Sequence, residues 1–180
     1  MTIRFKSGAV YSENWRDHIV ICEIATLFDL KALVTLRMEY IAEDDGPIPE
    51  ETYKRIKSEL PAYFQNHLDK DFLVYVCRDQ KEIAGCCFLY ISVKPANPAF
   101  PRGKTGTVLN VYTRPMYRKK GIAGKLLKMM LKEAEEMGLD FVELKATESG
   151  YPLYKSIGFE DAVSKYHPMK FVFDSGAIPR

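Results

Sequence analysis

The residues best suited to chemistry in this chain are Arg118-Lys119-Lys120-Gly121-Ile122-Ala123. Before them, Val108-Leu109-Asn110-Val111-Tyr112-Thr113 is an apolar, β-branched run that predicts a buried strand. After them, Ile122, Leu126, Leu127, Met130 and Ala134 recur at helical spacing. Lys125, Lys128, Lys132, Glu133 and Glu136 fill the opposite face, and Gly138 marks the stop. A strand, a short basic glycine turn and a helix make a geometry for holding an anion. The first N–H groups of a helix have no partner within it and carry partial positive charge, so phosphate oxygens bind there readily. Gly121 lets the backbone approach a ligand with no side chain in the way. The stretch contains neither G-x-x-x-x-G-K-[ST] nor G-x-G-x-x-G, so it matches neither common nucleotide-binding loop.

The rest of the chain supplies the elements that must hold this turn. Residues 1–17 carry no clear period and are expected to be an arm outside the core, with one domain over 18–180. His18–Ile24 predicts a first strand, and Asp29 is placed to cap the helix that follows. That helix carries Leu30, Leu33, Val34, Leu36, Met38 and Ile41 and should stop at a loop over Ala42–Pro49. A second helix runs from Glu50 to about His67, with a kink or break expected at Pro61. Asp71–Cys77 and Ile83–Ile91 read as an antiparallel hairpin. Phe141–Ala146 follows the long helix and should lie parallel to the central strand. A short helix over Gly150–Ser156 and a last strand around Met169–Phe173 close a mixed α/β sheet.

Composition bounds the setting. The 180 residues are 47% hydrophobic and 28% charged, with 26 basic against 24 acidic side chains, as expected for one ordinary globular domain. The near-neutral balance gives no sign of a nucleic-acid partner. No apolar run is long enough to span a membrane, and the first residues lack the apolar core of a secretory signal. Cys22, Cys77, Cys86 and Cys87 show no metal-ligand spacing, so no metal is expected. They are expected to be reduced, apolar residues of a cytoplasmic protein, with Cys86 and Cys87 on opposite faces of a strand.

The full register goes further. Val111-Tyr-Thr-Arg-Pro-Met-Tyr-Arg-Lys-Lys-Gly-Ile-Ala-Gly124 precedes Leu126-Leu127, and Leu153-Tyr-Lys-Ser-Ile-Gly-Phe159 follows later. This resembles the GNAT superfamily of N-acetyltransferases, whose signature is [Q/R]-x-x-G-x-[G/A] on a strand-to-helix turn with a later L-Y-x-x-x-G-F. The resemblance is close from Thr105 to Asp161 and looser before. It implies a single-domain α/β (α+β) fold with an antiparallel N-terminal hairpin, a splayed central parallel pair and helices on both faces.

The resemblance also implies acetyl-CoA as cosubstrate and a primary amine as acceptor, in a monomer or homodimer. Val111, Tyr112 and Thr113 would contact the pantetheine. Arg118, Lys119, Lys120, Gly121, Ile122, Ala123, Gly124 and Lys125 would line the pyrophosphate. Acyl transfer needs a route for the amine proton, donors for the carbonyl oxygen and an acid for the leaving sulfur. The family's acid maps onto Tyr154, and its backbone oxygen donor onto Val111. Where the family often has Asn near the pantetheine, this chain has Thr147, which offers fewer hydrogen bonds. No general base declares itself: Asn110 cannot take a proton, and Glu143 and Glu148 are the nearby carboxylates, with His167 further along. A module that binds acyl-CoA without catalysis is the alternative reading; the intact Tyr154 favours the enzyme. Glu43-Asp44-Asp45, in the expected helix–helix loop beside the acceptor pocket, suggests a cationic acceptor.

Overall fold

Alternation along the middle strands builds two cores from one sheet. Leu73, Tyr75 and Cys77 point to one face, and Phe72, Val74 and Val76 to the other, as the two-residue period requires. All six are essentially without solvent exposure. The computed structural model describes residues 11–15 and 18–173, which form a six-stranded sheet flanked by four α-helices.

The strands are β1 (Tyr11–Trp15), β2 (His18–Ile24), β3 (Phe72–Asp79), β4 (Glu82–Val93), β5 (Lys104–Thr113) and β6 (Phe141–Leu144), in that order across the sheet. Neighbours are antiparallel except the last pair. The helices are α1 (Leu30–Asp44), α2 (Glu50–His67), α3 (Ile122–Glu136) and α4 (Tyr151–Ile157). Because α3 carries the chain back across the sheet, β6 runs parallel to β5. The hydrophobic face of α3 (Leu126, Leu127, Met130 and Ala134) covers one core, joined by Leu153 and Tyr154 of α4. Leu33 and Leu36 of α1 with Phe64 of α2 cover the other, where Phe64, Phe72 and Phe88 meet in edge-on and tilted ring contacts. Each such side chain contributes about 1.5–3 kcal/mol of burial, so both faces are firmly held.

Several expectations change. Within the stretch expected as an arm, Tyr11–Trp15 form the edge strand β1, paired with β2; its remaining residues lie outside the described ones. Asp29 makes no cap to α1. Its carboxylate accepts from the Thr26 N–H at 2.9 Å and pairs with Arg78 at 2.8 Å, closing a short 3₁₀ turn. The first helix continues through Asp44, so Glu43 and Asp44 sit in its last turn and not in a loop. Pro61 does not divide α2, because Phe64 and Leu68 just beyond it are buried against the sheet and hold the final turns in place. Met169–Phe173 form no strand.

The cysteines differ too. Cys22 and Cys77 face each other across β2 and β3 and are joined as a disulfide. Their separation of 55 residues concealed a contact that strand register creates. Cys86 and Cys87 are free, buried and on opposite faces, and burial pushes both thiols up, Cys86 to about 12. No helix among the described residues is long and apolar enough to cross a membrane.

Candidate active site

β5 pairs with β4 along its length, but with β6 only from Thr105 to Val108. Beyond Val108 and Leu144 the two parallel strands part. The register against β4 also slips between Phe88 and Leu89, leaving Leu109 as an extra residue in β5, a bulge that bends the strand at this point. The Arg114 N–H donates to the Ala84 carbonyl on β4 at 2.9 Å. By two-residue alternation, Val111 and Thr113 therefore turn their backbone groups the other way, into the gap. The Thr113 carbonyl accepts from Arg118 Nε at 2.9 Å, so the gap keeps the Val111 N–H and C=O and the Thr113 N–H. A strand edge open over three residues suits an amide-containing ligand laid alongside it.

The basic turn closes one end of this edge. Tyr117 O–H donates to Asp79 Oδ2 at 3.2 Å, tying the 3₁₀ turn Pro115–Tyr117 to β3. Lys119 (φ 57°) and Gly121 (φ 73°) then take left-handed conformations, and α3 starts without any side-chain cap. Lys125 N–H is the first to close the helix, onto the Gly121 carbonyl at 3.0 Å. The N–H groups of Ile122, Ala123 and Gly124 have no acceptor within α3. A Cβ built on Gly121 would meet nothing within 4 Å, so the space above the turn is open.

On the other side of the gap stands α1, stitched to β5 by charge. Glu39 grips Arg114 with both oxygens, at 3.0 and 3.1 Å, and Glu43 pairs with Arg118. Arg37 donates to the Oδ1 of buried Asn110 at 2.8 Å. Between α1, the end of β5 and the loop after β6 lies a cavity of about 280 Å³, lined by Tyr40, Glu43, Asp44, Val111, Thr147 and Tyr154. Tyr40 O–H donates to Asp44 Oδ2 at 3.0 Å; burial, with the bond to Asp44, pushes its phenol up to about 12. Burial also raises the Tyr154 phenol, with Cys87 and Asp44 adding to it, so that group stays protonated at neutral pH.

Tyr154 sits where it does because residue 150 has no side chain. A Cβ there would stand 2.9 Å from Tyr154 Cε2 and 3.2 Å from Thr147 Oγ1. Tyr154 packs edge-on against Phe159, with centroids 5.9 Å apart.

The structure brings Val111, Tyr112, Thr147 and Tyr154 to one cavity, with Arg118–Lys125 forming the adjoining turn. Some of these side chains already have partners. The Arg118 guanidinium turns toward Glu43, Lys120 Nζ lies 5.3 Å from the Tyr117 ring centre, and Tyr112 is buried in the core beneath α1. Thr147 Oγ1 accepts from the Gly150 N–H at 3.2 Å, which commits it to the turn before α4. Glu143 lies on the far side of β6, in a different cavity, and Asn110 is held by Arg37. Glu148 and His167 are exposed and outside the cavity lining. Sequence reasoning missed Arg37, Glu39, Tyr40 and Gly150. The Glu39/Glu43 and Arg114/Arg118 pairs share a four-residue spacing, the one available signal.

Comparison with known families decides what this arrangement is. The model of the acetyltransferase (GNAT) family matches residues 35–159, from α1 through α4. The chain belongs to that family. A GNAT acetyltransferase uses acetyl-CoA, and the open β5 edge and the unspent N–H groups of α3 fit the amides and the pyrophosphate of that molecule. The fold is similar to a predicted acetyltransferase from Clostridium acetobutylicum solved with acetyl-CoA, at 26% identity, TM-score 0.72, over 84% of this chain and 96% of that one. It also resembles a GCN5-related N-acetyltransferase from Ralstonia eutropha (24%, TM-score 0.70, 83% and 98%). Glucosamine-6-phosphate N-acetyltransferase from Arabidopsis thaliana is a more distant likeness (19%, TM-score 0.57, 86% and 99%). No curated protein matches the chain.

The turn makes a direct prediction. Gly121→Asp should abolish acetyl-CoA binding in isothermal titration while circular dichroism shows a folded protein. The added Cβ meets no protein atom within 4 Å, its left-handed backbone costs only about 1–2 kcal/mol, and its carboxylate would oppose a pyrophosphate held at the turn. Unchanged affinity in the folded variant would remove the turn from the binding site.

Proposed function

We propose that this GNAT enzyme acetylates a primary amine that enters the cavity beneath α1, with Tyr154 as general acid and Asp44 as the anionic contact for a cationic acceptor. The observation that carries this reading is shared access. Tyr154, the open β5 edge at Val111 and the carboxylates Glu43 and Asp44 line one cavity of about 280 Å³.

Acetyl-CoA supplies the acetyl group as a thioester, and the protein's part is to place and polarise. The N–H groups of Ile122, Ala123 and Gly124 hold the pyrophosphate, with Lys119, Lys120 and Lys125 supplying positive charge around them. The open backbone at Val111 and Thr113 holds the pantetheine amides. Of these groups, the Val111 N–H is the donor for the thioester oxygen, since it points into the gap beside Tyr154. The amine nitrogen bonds the acetyl carbon as the carbon–sulfur bond breaks. The Tyr154 hydroxyl gives its proton to the departing sulfur, and the proton shed by the attacking nitrogen passes to solvent, from which the phenol is restored. Burial, which raises that phenol, keeps the proton available at neutral pH.

The acceptor's character follows from α1. Glu43 is neutralised by Arg118, whereas Asp44 is met by the neutral Tyr40 hydroxyl, so Asp44 carries the negative charge facing the cavity. An amine with a second cationic group gains from that charge, and Asp45 just beyond α1 extends the field.

Two measurements test the assignment. Tyr154→Phe keeps the ring against Gly150 and Phe159, and should lower kcat by roughly 10²–10⁴-fold while acetyl-CoA affinity holds. A kcat within a factor of about two of wild type would make Tyr154 a packing residue. Asp44→Asn should raise KM roughly two- to fivefold for dicationic amines and leave monocationic ones unchanged, the size expected for an exposed ion pair. That difference should vanish in 1 M salt, where the Debye length is about 3 Å. Equal KM values for both amine classes in variant and wild type would remove Asp44 from recognition.

A further inference from the structure

Arg78 pairs with Glu23 and Asp29, Arg114 with Glu39, and Arg118 with Glu43. Arg37 of α1 is the exception: although partly buried, it meets no carboxylate among the described residues. Only its Nη1 finds an acceptor, Asn110 Oδ1 at 2.8 Å. The guanidinium carbon also lies 5.4 Å from the centre of the Tyr40 ring, a contact that attracts the charge but offers no second acceptor to the edge N–H groups. A guanidinium cannot shed its charge in a protein, so withdrawing it from water without an anion costs free energy.

Its surroundings say which anion could reach it. Asn110 and Tyr40, the two groups that Arg37 touches, both line the cavity beneath α1. Asn110 is buried, and its amide nitrogen donates to Cys86 Sγ at 3.5 Å, so the oxygen that holds Nη1 is itself held in place. Tyr63 of α2 is a further neighbour: burial raises its phenol, and the Arg37 charge opposes that rise. Arg37 therefore faces an amide and phenols, while the acids of the same helix, Glu39, Glu43 and Asp44, are turned to Arg114, Arg118 and Tyr40.

We propose that Arg37 binds a carboxylate carried by the acceptor, so that the amine acetylated by this enzyme belongs to an amino acid or a related amino-carboxylate. The inference rests on the reading that the acceptor enters the cavity beneath α1. With Nη1 held by Asn110, the Nε–Nη2 edge is left, the planar fork that meets both oxygens of a carboxylate. A phosphate dianion fits less well, because Glu39, Glu43 and Asp44 already place negative charge along α1. Asp44 lies roughly 10 Å further along the helix than Arg37, so one wall offers a cation at one end and an anion at the other.

Isothermal titration into the enzyme loaded with CoA reads acceptor binding apart from acetyl transfer, and so tests Arg37 whether or not Tyr154 is the acid. Lysine differs from cadaverine only by its carboxylate, as ornithine does from putrescine. Each amino acid should bind roughly tenfold more tightly than its diamine, the size expected of a charge-assisted hydrogen-bonded pair. Arg37→Gln should bring the amino acids down to the affinity of the diamines, and Arg37→Lys, which keeps the charge without the fork, should retain part of the preference. Asp44→Asn should weaken all four ligands and leave the preference intact, so the two assignments fail separately. Equal affinity within both pairs in the wild type, or no measurable binding of any of the four, overturns the proposal. So does an Arg37→Gln variant, folded by circular dichroism, that keeps the preference, and so does tighter binding of 2-aminoethyl phosphate than of β-alanine.

Discussion

Strands β5 and β6 share only four residue pairs before they separate, and backbone left unpaired inside a fold must find a partner. An unsatisfied buried amide costs about 1–3 kcal/mol, so such a gap persists only when something else holds the strands in place. Here β4 does so on one side, pairing with β5 along its whole length. The bulge at Leu109 bends β5 where the gap begins, and Gly85 lets β5 and α3 come close above it. A Cβ on Gly85 would lie 2.8 Å from the Tyr112 carbonyl and 3.1 Å from Ile122. The open edge, the basic turn and the uncapped start of α3 thus form one continuous hydrogen-bonding surface.

Charge does the rest of the positioning. Three guanidinium groups, from Arg37, Arg114 and Arg118, join α1 to β5 and the turn that follows it. Exposed ion pairs contribute little, but Arg114 meets Glu39 in a bidentate fork that is mostly buried, and that hydrogen-bonded contact holds the guanidinium charged. The arrangement places the last turn of α1 over the gap. Arg118 belongs to both halves of the candidate site: its backbone lies in the basic turn, and its side chain pairs with Glu43 at the cavity beneath α1. The proposed division of labour between Glu43 and Asp44 follows from that contact.

The parts that the sequence made readable are those governed by local rules. The strand–turn–helix unit around Gly121 follows from periodicity and from a backbone conformation that favours glycine, and the parallel β5–β6 pair follows from the helix between them. The features that could not be read depend on contacts distant in the chain. Asp29 looked like a helix cap but answers to Thr26 and Arg78, and Cys22 meets Cys77 only through strand register. The helix-ending position after Ile41 was misplaced because Ala42-Glu43-Asp44 carries no apolar signal, although its residues continue the helix. Glu39 and Tyr40 resemble an ordinary solvated helix face until α1 is laid against β5. Met169–Phe173 carries strand periodicity, yet it pairs with no strand among the described residues.

In the proposed site, unpaired backbone N–H groups in two places, at Val111 and Thr113 on β5 and at Ile122–Gly124 on α3, form one binding surface. Amide hydrogen exchange followed by NMR, with and without acetyl-CoA, tests it residue by residue. Fast exchange is expected at these five amides in the free protein and strong slowing at all five on binding, with the Arg114 amide, already bonded to Ala84, unchanged. Slowing confined to α3 or to β5 alone, or protection of these amides before any ligand is added, would contradict it.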